Sequence, residues 1–364
     1  MTRHHPPRRV LGSVAAVAAG AILLAACGTS SPAASGAPAA DAGKPQTEAQ
    51  LKSAAEQEGQ VNWYTTFAAD DITDMVAAFN KVYPKIKVNA LRLSADQLPT
   101  KVITEQRGRE FNADVVSGDS PQLDELINEG AMQPYCAPDE QALPSGQTLP
   151  KGYCGNVYVL TTIIAYNPKA VQRLGLQPPT SYQDLTKPQW RGQFSFDPGS
   201  VNFYESLIQQ MGHARALQLV QALGRNQPKL VSSHTLALTQ VEAGEPAATA
   251  TAYGYKSASE IRKKGGSLMF VNTNPLPTSF TLIDIVKNAP HLSAAKLFTD
   301  WMVSQEGQQA IVDTTNHTSL RTDVKNDPTV WDPTKWPPAY GAGDITSTQY
   351  NQYVNELKQA VGSD

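Results

Sequence analysis

The sequence lacks the short motifs by which several enzyme classes are identified. It contains no Gly-x-Ser-x-Gly elbow, no His-Glu-x-x-His pair and no Walker loop. Beyond the first 26 residues histidine occurs only as His213, His234, His291 and His317, and none stands beside a candidate nucleophile. We therefore do not expect an enzyme. A secreted lipoprotein hydrolase, with a triad assembled from residues distant in sequence, is the alternative from another functional class.

Acidic residues are absent before Cys27. Three arginines precede an uncharged apolar run over residues 10–26, which ends in small residues and is typical of a secretory signal. The run is short for a membrane span. Its end, Leu24-Ala25-Ala26-Cys27, resembles a bacterial lipobox, in which cleavage leaves the cysteine as a lipid-carrying N-terminus. We expect residues 1–26 to be a signal peptide and Cys27 to anchor the protein outside the cytoplasm on the cell membrane; an ordinary export signal is the alternative, and Arg8-Arg9 leaves twin-arginine export open.

Cysteine is rare, with three in 364 residues. If Cys27 carries lipid, Cys136 and Cys154 remain in a chain exported to an oxidising environment, and we predict that they form a disulfide. By the chain-entropy model a loop of this length stabilises the fold by about 3 kcal/mol. Two reduced buried thiols are the alternative; a zinc site is disfavoured because no histidine or further cysteine is near either residue.

The charge balance excludes one class of partner. The precursor has a formal net charge of -3, and removal of residues 1–26 takes away three arginines and no acid, which gives -3 minus 3, or -6. Nucleic acid is therefore not an expected partner. Residues 27–49 are dominated by Gly, Ser, Ala and Pro and are predicted to be a flexible tether. The remaining length allows two packed domains, and nothing in it indicates an oligomer.

The folded part begins near residue 50 with apolar patterns of alternating period. Short runs with strand character are separated by runs in which apolar residues recur at helical spacing. This predicts a β-α-β-α-β unit and a parallel twisted sheet. The predicted strands are 61–65, 86–90 and 113–116, and the predicted helices are 70–82, 98–109 and 122–129.

Small polar residues follow each of these strands. Since ligands bind at the carboxyl ends of parallel strands, these turns are candidate ligand contacts. The same residue types are the preferred helix N-caps, so capping is the alternative for each one. The candidates are Thr65, Thr66, Ser94, Gly118 and Asp119.

A second α/β region follows a β-rich run over residues 156–166. A strand at 194–196 leads into Asp-Pro-Gly-Ser and a helix at 201–211; a strand at 230–231 leads into a helix that ends near residue 243; and a strand at 247–252 ends at Tyr253-Gly254-Tyr255. Helix N-termini attract anions, so Ser200 and Ser233 are candidate anion contacts, with self-capping as the alternative. We interpret Glu205 and Glu242 as solvated or helix-face charges rather than an acid/base pair.

Five stretches, at residues 61–66, 113–116, 164–168, 238–245 and 294–308, together resemble the ferric-iron-type extracellular solute-binding proteins of ABC importers. The resemblance implies a two-lobed type 2 periplasmic-binding-protein fold of the α/β class, with two crossing hinge strands near 159–165 and 276–282. Lobe 1 would comprise residues 50–160, lobe 2 residues 161–277, and 278–364 would return to lobe 1 and end in a helix near 348–361. It also implies an ABC permease and its ATPase as partners of a monomeric protein that closes on its ligand.

The resemblance implies an incomplete iron site. Iron-binding members use two adjacent tyrosines, a carboxylate and often a histidine; here Gly254 interrupts the tyrosine pair, Asp119 holds the carboxylate position and Ala68 stands where the histidine would be. The resemblance also implies that Ser200, Asn202 and His234 lie where relatives contact an anion.

We therefore expect a small anionic or zwitterionic solute, of the phosphonate, phosphate, sulfonate or carboxylate type, with Asp119 pairing with an amine if one is present. The alternative ligand is ferric iron or an iron chelate, held by Asp119 and Tyr255; no resident cofactor is expected. The predicted ligand-binding residues are Thr65, Thr66, Ser94, Gly118, Asp119, Ser200, Asn202, Ser233, His234, Tyr253 and Tyr255.

Overall fold

A computed structural model describes residues 47–363, except 96, 140–151, 154, 265–267, 275, 329, 333–334, 336–337 and 341–346. These residues belong to one compact unit, Gln46–Asp364. The predicted signal peptide, Cys27 and almost all of the predicted tether lie outside the described residues, as does Cys154. No helix within the described residues combines the length and apolarity that a membrane crossing requires.

Eleven strands form one mixed sheet in the described part of the chain. They are β1 Gln60–Thr65, β2 Lys87–Arg92, β3 Val115–Asp119, β4 Met132–Gln133, β5 Asn156–Tyr166, β6 Phe194–Phe196, β7 Lys229–Leu230, β8 Ala248–Tyr253, β9 Met269–Val271, β10 Leu276–Val286 and β11 Pro338–Tyr340. The strand order is β2-β1-β3-β10-β5-β8-β6-β7, with β4 and β11 paired to β10 and β9 paired to β5.

Helices cover the sheet. They are α1 Glu48–Glu58, α2 Ala69–Val82, α3 Gln97–Gly108, α4 Ser120–Asn128, α5 Pro168–Arg173, α6 Tyr182–Leu185, α7 Val201–Met211, α8 His213–Arg225, α9 His234–Ala243, α10 Gly254–Lys264, α11 Leu292–Val303, α12 Gln305–Thr315 and α13 Ser347–Val361, with a 3-10 turn at Pro188–Trp190.

The β-α-β-α-β unit is confirmed, since β1 pairs in parallel with both β2 and β3. The bounds of β3 differ from the predicted 113–116. The strand begins later and continues to Asp119, because β10 runs antiparallel beside it and pairs Ile283 with Ser117 and Thr281 with Asp119. The turn predicted to follow the strand is therefore largely the strand itself, which places Asp119 at the last position before α4.

Two long strands, β5 and β10, join the two parts of the sheet. Each has 11 residues, and the first half of β5 pairs with β10, for example Val159 with Phe280. The second half of β5 pairs with β8 and β9 instead. Both strands are buried along almost their whole length, as expected for the centre of a covered sheet. They coincide with the predicted crossings; the predicted lobe boundaries stay a prediction.

The C-terminal helix α13 lies close to its predicted position and packs against α7 and α8. Its Leu357 and Val361 join the core formed by residues of β6, α7 and α8. Gly224 of α8 is at the closest approach, because a Cβ atom there would overlap the carbonyl oxygen of Ala360. Although it follows the predicted return to lobe 1, α13 thus belongs to the core that is built mainly from residues 161–277.

Cys136 is disulfide-bonded. Because Cys154 lies outside the described residues, its pairing with Cys136 stays a prediction.

Candidate functional site

Five aromatic rings stack in a column between the two parts of the sheet. Tyr158 of β5 lies 3.8 Å, centroid to centroid, from His317, which follows α12, and His317 lies 3.7 Å from Tyr255 of α10. Tyr255 is 6.1 Å from Tyr253 at the end of β8, and Tyr253 is 3.8 Å from His234 at the start of α9. The column joins residues that are up to about half the chain apart in sequence.

The three tyrosine hydroxyls of this column are held in their neutral form. Burial raises the pKa of Tyr158, Tyr253 and Tyr255 above the ordinary value of a phenol, and nearby negative charges act in the same direction. Each hydroxyl can therefore donate a hydrogen bond, whereas a metal that requires phenolate has to displace its proton.

Asp119 connects the β3 side of the column to α7. Its Oδ1 accepts a hydrogen bond from the Thr281 hydroxyl at 2.9 Å, and its Oδ2 accepts one from Asn202 Nδ2 at 3.0 Å. Burial raises the pKa of Asp119 to about 6, and these two hydrogen bonds offset part of the rise. Both carboxylate oxygens already have a protein donor in this structure.

The turn before α7 leaves one hydroxyl without a partner. Asp197 Oδ1 accepts from the Gly199 N–H at 2.8 Å, and the Asp197 N–H donates to Thr251 Oγ1 at 3.0 Å, which fixes the turn. Ser200 occupies the N-cap position of α7 but makes no side-chain cap bond, and its Oγ is buried without a hydrogen-bond partner. Self-capping, the alternative weighed for Ser200, is therefore absent.

Ser233 behaves differently at the start of α9. Its Oγ accepts from the Leu236 N–H at 3.3 Å, so here the capping alternative holds. The neighbouring His234 has its Nδ1 2.5 Å from the Thr251 carbonyl oxygen, which can only accept, so Nδ1 carries the proton. Its Nε2 lies 3.5 Å from Asp197 Oδ2, and burial lowers the pKa of His234 despite that carboxylate.

Two cations lie near Tyr255, the middle ring of the column. The Lys256 Nζ is 5.4 Å from the Tyr255 ring centroid and 3.9 Å from Asp71 Oδ1. Arg92 donates from Nε to the carbonyl oxygen of Phe67 at 2.9 Å. The surroundings of Tyr255 therefore contain positive charge as well as the buried Asp71.

Besides Asp119, the sequence predicted four ligand contacts between β1 and α4, and these differ in exposure and in hydrogen bonding. Thr65 is 0 % exposed, and its hydroxyl is bonded to Ser117 Oγ at 2.7 Å and to the Phe67 N–H at 3.1 Å. We leave Thr65 out of the proposed site, because its hydroxyl is used within the protein. Thr66 is half-buried, Ser94 is exposed in the turn before α3, and Gly118 is buried in β3.

The interpretation of Glu205 as a solvated charge is wrong. Glu205 is 6 % exposed, and burial, followed by the charge of Asp124 on α4, raises its pKa to about 8. The reason is the covering of α7 by the rest of the fold, which the helical spacing of the sequence does not reveal. Glu242 is half-buried.

Tyr158, His317 and Thr281 were not among the predicted site residues. No three side chains among the His, Cys, Asp and Glu residues of the described part of the chain are grouped so that they could hold a metal ion. Tyrosines aside, the site is therefore richer in hydrogen-bonding groups than in metal ligands.

Residues 74–338 match the family described as bacterial extracellular solute-binding proteins, and the chain belongs to this family. It is 25% identical over 224 residues to an uncharacterized protein of Haemophilus influenzae, a match that covers 57% of this chain and 64% of the relative. It is 24% identical over 161 residues to an Fe(3+)-binding periplasmic protein of Serratia marcescens, covering 42% and 46%. The matched region thus spans less than two thirds of either relative.

Solved structures share the fold. The periplasmic binding protein AfuA from Actinobacillus pleuropneumoniae, with fructose-6-phosphate bound, is 20% identical with a TM-score of 0.75, covering 84% of this chain and 99% of that one. Iron-bound HitA from Pseudomonas aeruginosa is 21% identical with a TM-score of 0.71, covering 83% and 99%. The predicted α/β class and type 2 periplasmic-binding-protein fold are confirmed.

Proposed function

We propose that this protein captures a small anionic or zwitterionic solute, of the phosphonate, phosphate, sulfonate or carboxylate type, and delivers it to the permease and ATPase of an ABC importer. The observation that carries the proposal is the buried, unpartnered hydroxyl of Ser200 at the N-terminus of α7. The protein would act outside the cytoplasm, held to the membrane by lipid on Cys27.

An unpartnered buried hydroxyl is unfavourable by about 1–3 kcal/mol, so a group that bonds it in the loaded protein explains its presence. The first N–H groups of a helix point outward from its N-terminus and, together with the helix dipole, favour negative charge there. Asn202 on the first turn of α7 adds an amide that is already oriented by Asp119. These groups suit an oxyanion better than a bare cation.

The hydrogen bond between Asp119 and Asn202 also suggests how capture works. Asp119 ends β3 and Asn202 begins α7, so the bond joins the two parts of the sheet that β5 and β10 connect. A ligand that contacts both sides favours the closed arrangement by its differential affinity. We propose that closure around the ring column is the signal that the permease reads.

Ferric iron or an iron chelate is the second candidate. It is favoured by the three tyrosines of the column, of which Tyr158 is buried and Tyr253 and Tyr255 are half-buried, and by the neighbouring Asp119, since Fe(III) is hard and prefers anionic oxygen. The Serratia marcescens relative is an Fe(3+)-binding protein, and HitA was solved with iron. Because burial keeps the tyrosines protonated, iron binding here would release protons and strengthen as pH rises.

Native mass spectrometry of the mature chain, purified gently and without chelators, separates the two candidates. A bound organic anion supports the first. An iron increment, together with a visible tyrosinate-to-iron charge-transfer band, supports the second. If no mass is retained, and no phosphate, phosphonate, sulfonate or carboxylate in a broad panel raises the melting temperature, the first proposal is refuted.

A further inference from the structure

The protonation pattern of His317 follows from its neighbours. The Thr315 hydroxyl donates its single proton to the Ile311 carbonyl oxygen at 2.6 Å, in the usual manner of a helical threonine. The same hydroxyl oxygen lies 2.7 Å from His317 Nδ1. Since the hydroxyl proton is already used, Thr315 Oγ1 must accept here and His317 Nδ1 must donate. In the neutral imidazole the other nitrogen, Nε2, is then an acceptor without a proton.

The Nε2 atom of His317 receives no hydrogen bond from the described residues. His317 is 2 % exposed, and this nitrogen is buried. The ring cannot turn to find one, because Tyr158 and Tyr255 stack on its two faces at 3.8 and 3.7 Å. Burial and the positive charge of Lys256 lower the pKa of His317 well below its usual value, so a proton does not fill the position near neutral pH.

The position of His317 links it to the ligand site. Its ring stands in the same column that ends at His234, whose Nε2 is next to Asp197, three residues before Ser200. The N-terminus of α7, which favours an anion, and the acceptor nitrogen of His317 therefore both border the ring column. A solute bound there can satisfy both only if it carries a hydrogen-bond donor as well as an anionic group.

We propose that His317 is a ligand-binding residue and that its Nε2 accepts a hydrogen bond from a hydroxyl or ammonium group of the solute. This proposal rests on the proposed function and narrows it to anionic solutes that also carry such a donor. Asp119 stays a candidate partner for an amine, because each of its oxygens accepts one hydrogen bond and can accept a second; His317 Nε2 differs in having no donor at all among the described residues.

The test compares three phosphonates that differ in one terminal group: 2-aminoethylphosphonate, 2-hydroxyethylphosphonate and propylphosphonate. Calorimetry on the wild-type chain is expected to show at least one of the first two binding about tenfold more tightly than propylphosphonate, the usual effect of one hydrogen bond. His317→Phe keeps an aromatic ring between the tyrosines and is expected to abolish this difference. His317→Gln, which retains an acceptor, is expected to keep part of it.

The matched control is His213→Gln. His213 is bonded to Glu356 at 2.6 Å, with 43% of its side chain exposed, and it lies outside the ring column. The His213→Gln variant is expected to bind all three phosphonates as the wild type does. Equal binding of the three compounds by the wild type would overturn the role of His317 and leave the proposed function standing.

Nitrogen-15 NMR of imidazole-labelled protein tests the deduction without depending on these compounds. The ligand-free protein is expected to show His317 with Nδ1 protonated and Nε2 bare, and the Nε2 resonance is expected to move when a donor-bearing phosphonate binds. A protonated Nε2 in the ligand-free protein would overturn the proposal. So would a shift caused by ferric citrate alone, which would make His317 a metal ligand. Failure of all three phosphonates, with Nε2 unmoved by them, would overturn this proposal, whereas the anionic solute class would fall only if the phosphates, sulfonates and carboxylates of the broad panel failed as well.

Discussion

The carboxyl group of Asp119 makes the stability of this protein depend on pH in a way that can be isolated. Its pKa is raised from 3.8 to about 6 in the fold, so the folded state holds the Asp119 proton more tightly than the unfolded state does. For an acid with a raised pKa, the stabilisation is present below about 4 and is lost as pH rises toward 6. A rise in pKa from 3.8 to about 6 corresponds to about 3 kcal/mol.

Asp119→Asn removes this titration while keeping an oxygen that can accept from Thr281 or Asn202. The assay is urea unfolding of both proteins between pH 3.5 and 7.5. Glu205 and Asp300 also have raised pKa values, but their contributions are present in both proteins and cancel when the two unfolding free energies are subtracted. The stability of the wild type relative to Asp119→Asn is expected to fall by about 3 kcal/mol over this range, most steeply between pH 4 and 6. A difference that does not vary with pH would refute the burial of Asp119 as the cause.

Three further changes test other parts of the structure. Ser200→Ala removes a buried hydroxyl that makes no protein hydrogen bond, so it is expected to weaken binding of the anion identified by mass spectrometry about tenfold and to raise the melting temperature of the ligand-free protein; a lower melting temperature with unchanged affinity would contradict the site. Glu205→Gln is expected to gain melting temperature over the wild type at pH 9 but not at pH 5, because stability linked to the raised pKa of Glu205 is lost as pH rises from 4.5 toward 8; an equal change at both values would show that its charge is not buried. Gly224→Ala is expected to destabilise by about 1–3 kcal/mol through overlap with α13, whereas Gly108→Ala, where a Cβ has room, serves as the control; equal unfolding free energies would show that α13 does not pack there.

The sequence predicted most of the sheet and several helices close to their bounds. The helix at 201–211 matches α7 at both ends, because a Pro-Gly-Ser turn precedes it and Gly212 follows it. The neighbouring α8 was not predicted, although Ala216, Leu219, Val220 and Leu223 recur at helical spacing. Its N-cap residue is Gly212, which has no side chain to form a cap hydrogen bond, so the spacing of the apolar residues was the signal that the sequence offered.

The candidate site was predictable where it lies at strand ends and not elsewhere. Asp119 and Tyr253 end strands, whereas Asn202, to which the family resemblance pointed, lies on the first turn of α7 and donates a hydrogen bond to Asp119. Tyr158 lies inside the buried strand β5, where a tyrosine looks like core, and His317 lies beyond α12 in a segment whose return to the site depends on long-range packing. Only tertiary structure brings these last two together.

The packing of the two terminal helices has a practical use for following this protein at work. Helix α1 packs against α11, beside β1, whereas α13 packs against α7 and α8, beside β6. Fluorophores attached near residues 47 and 363 would therefore be fixed to opposite sides of the strand pair β5 and β10. A change in energy transfer between them would report solute capture in real time, without substitution of any residue in the ring column.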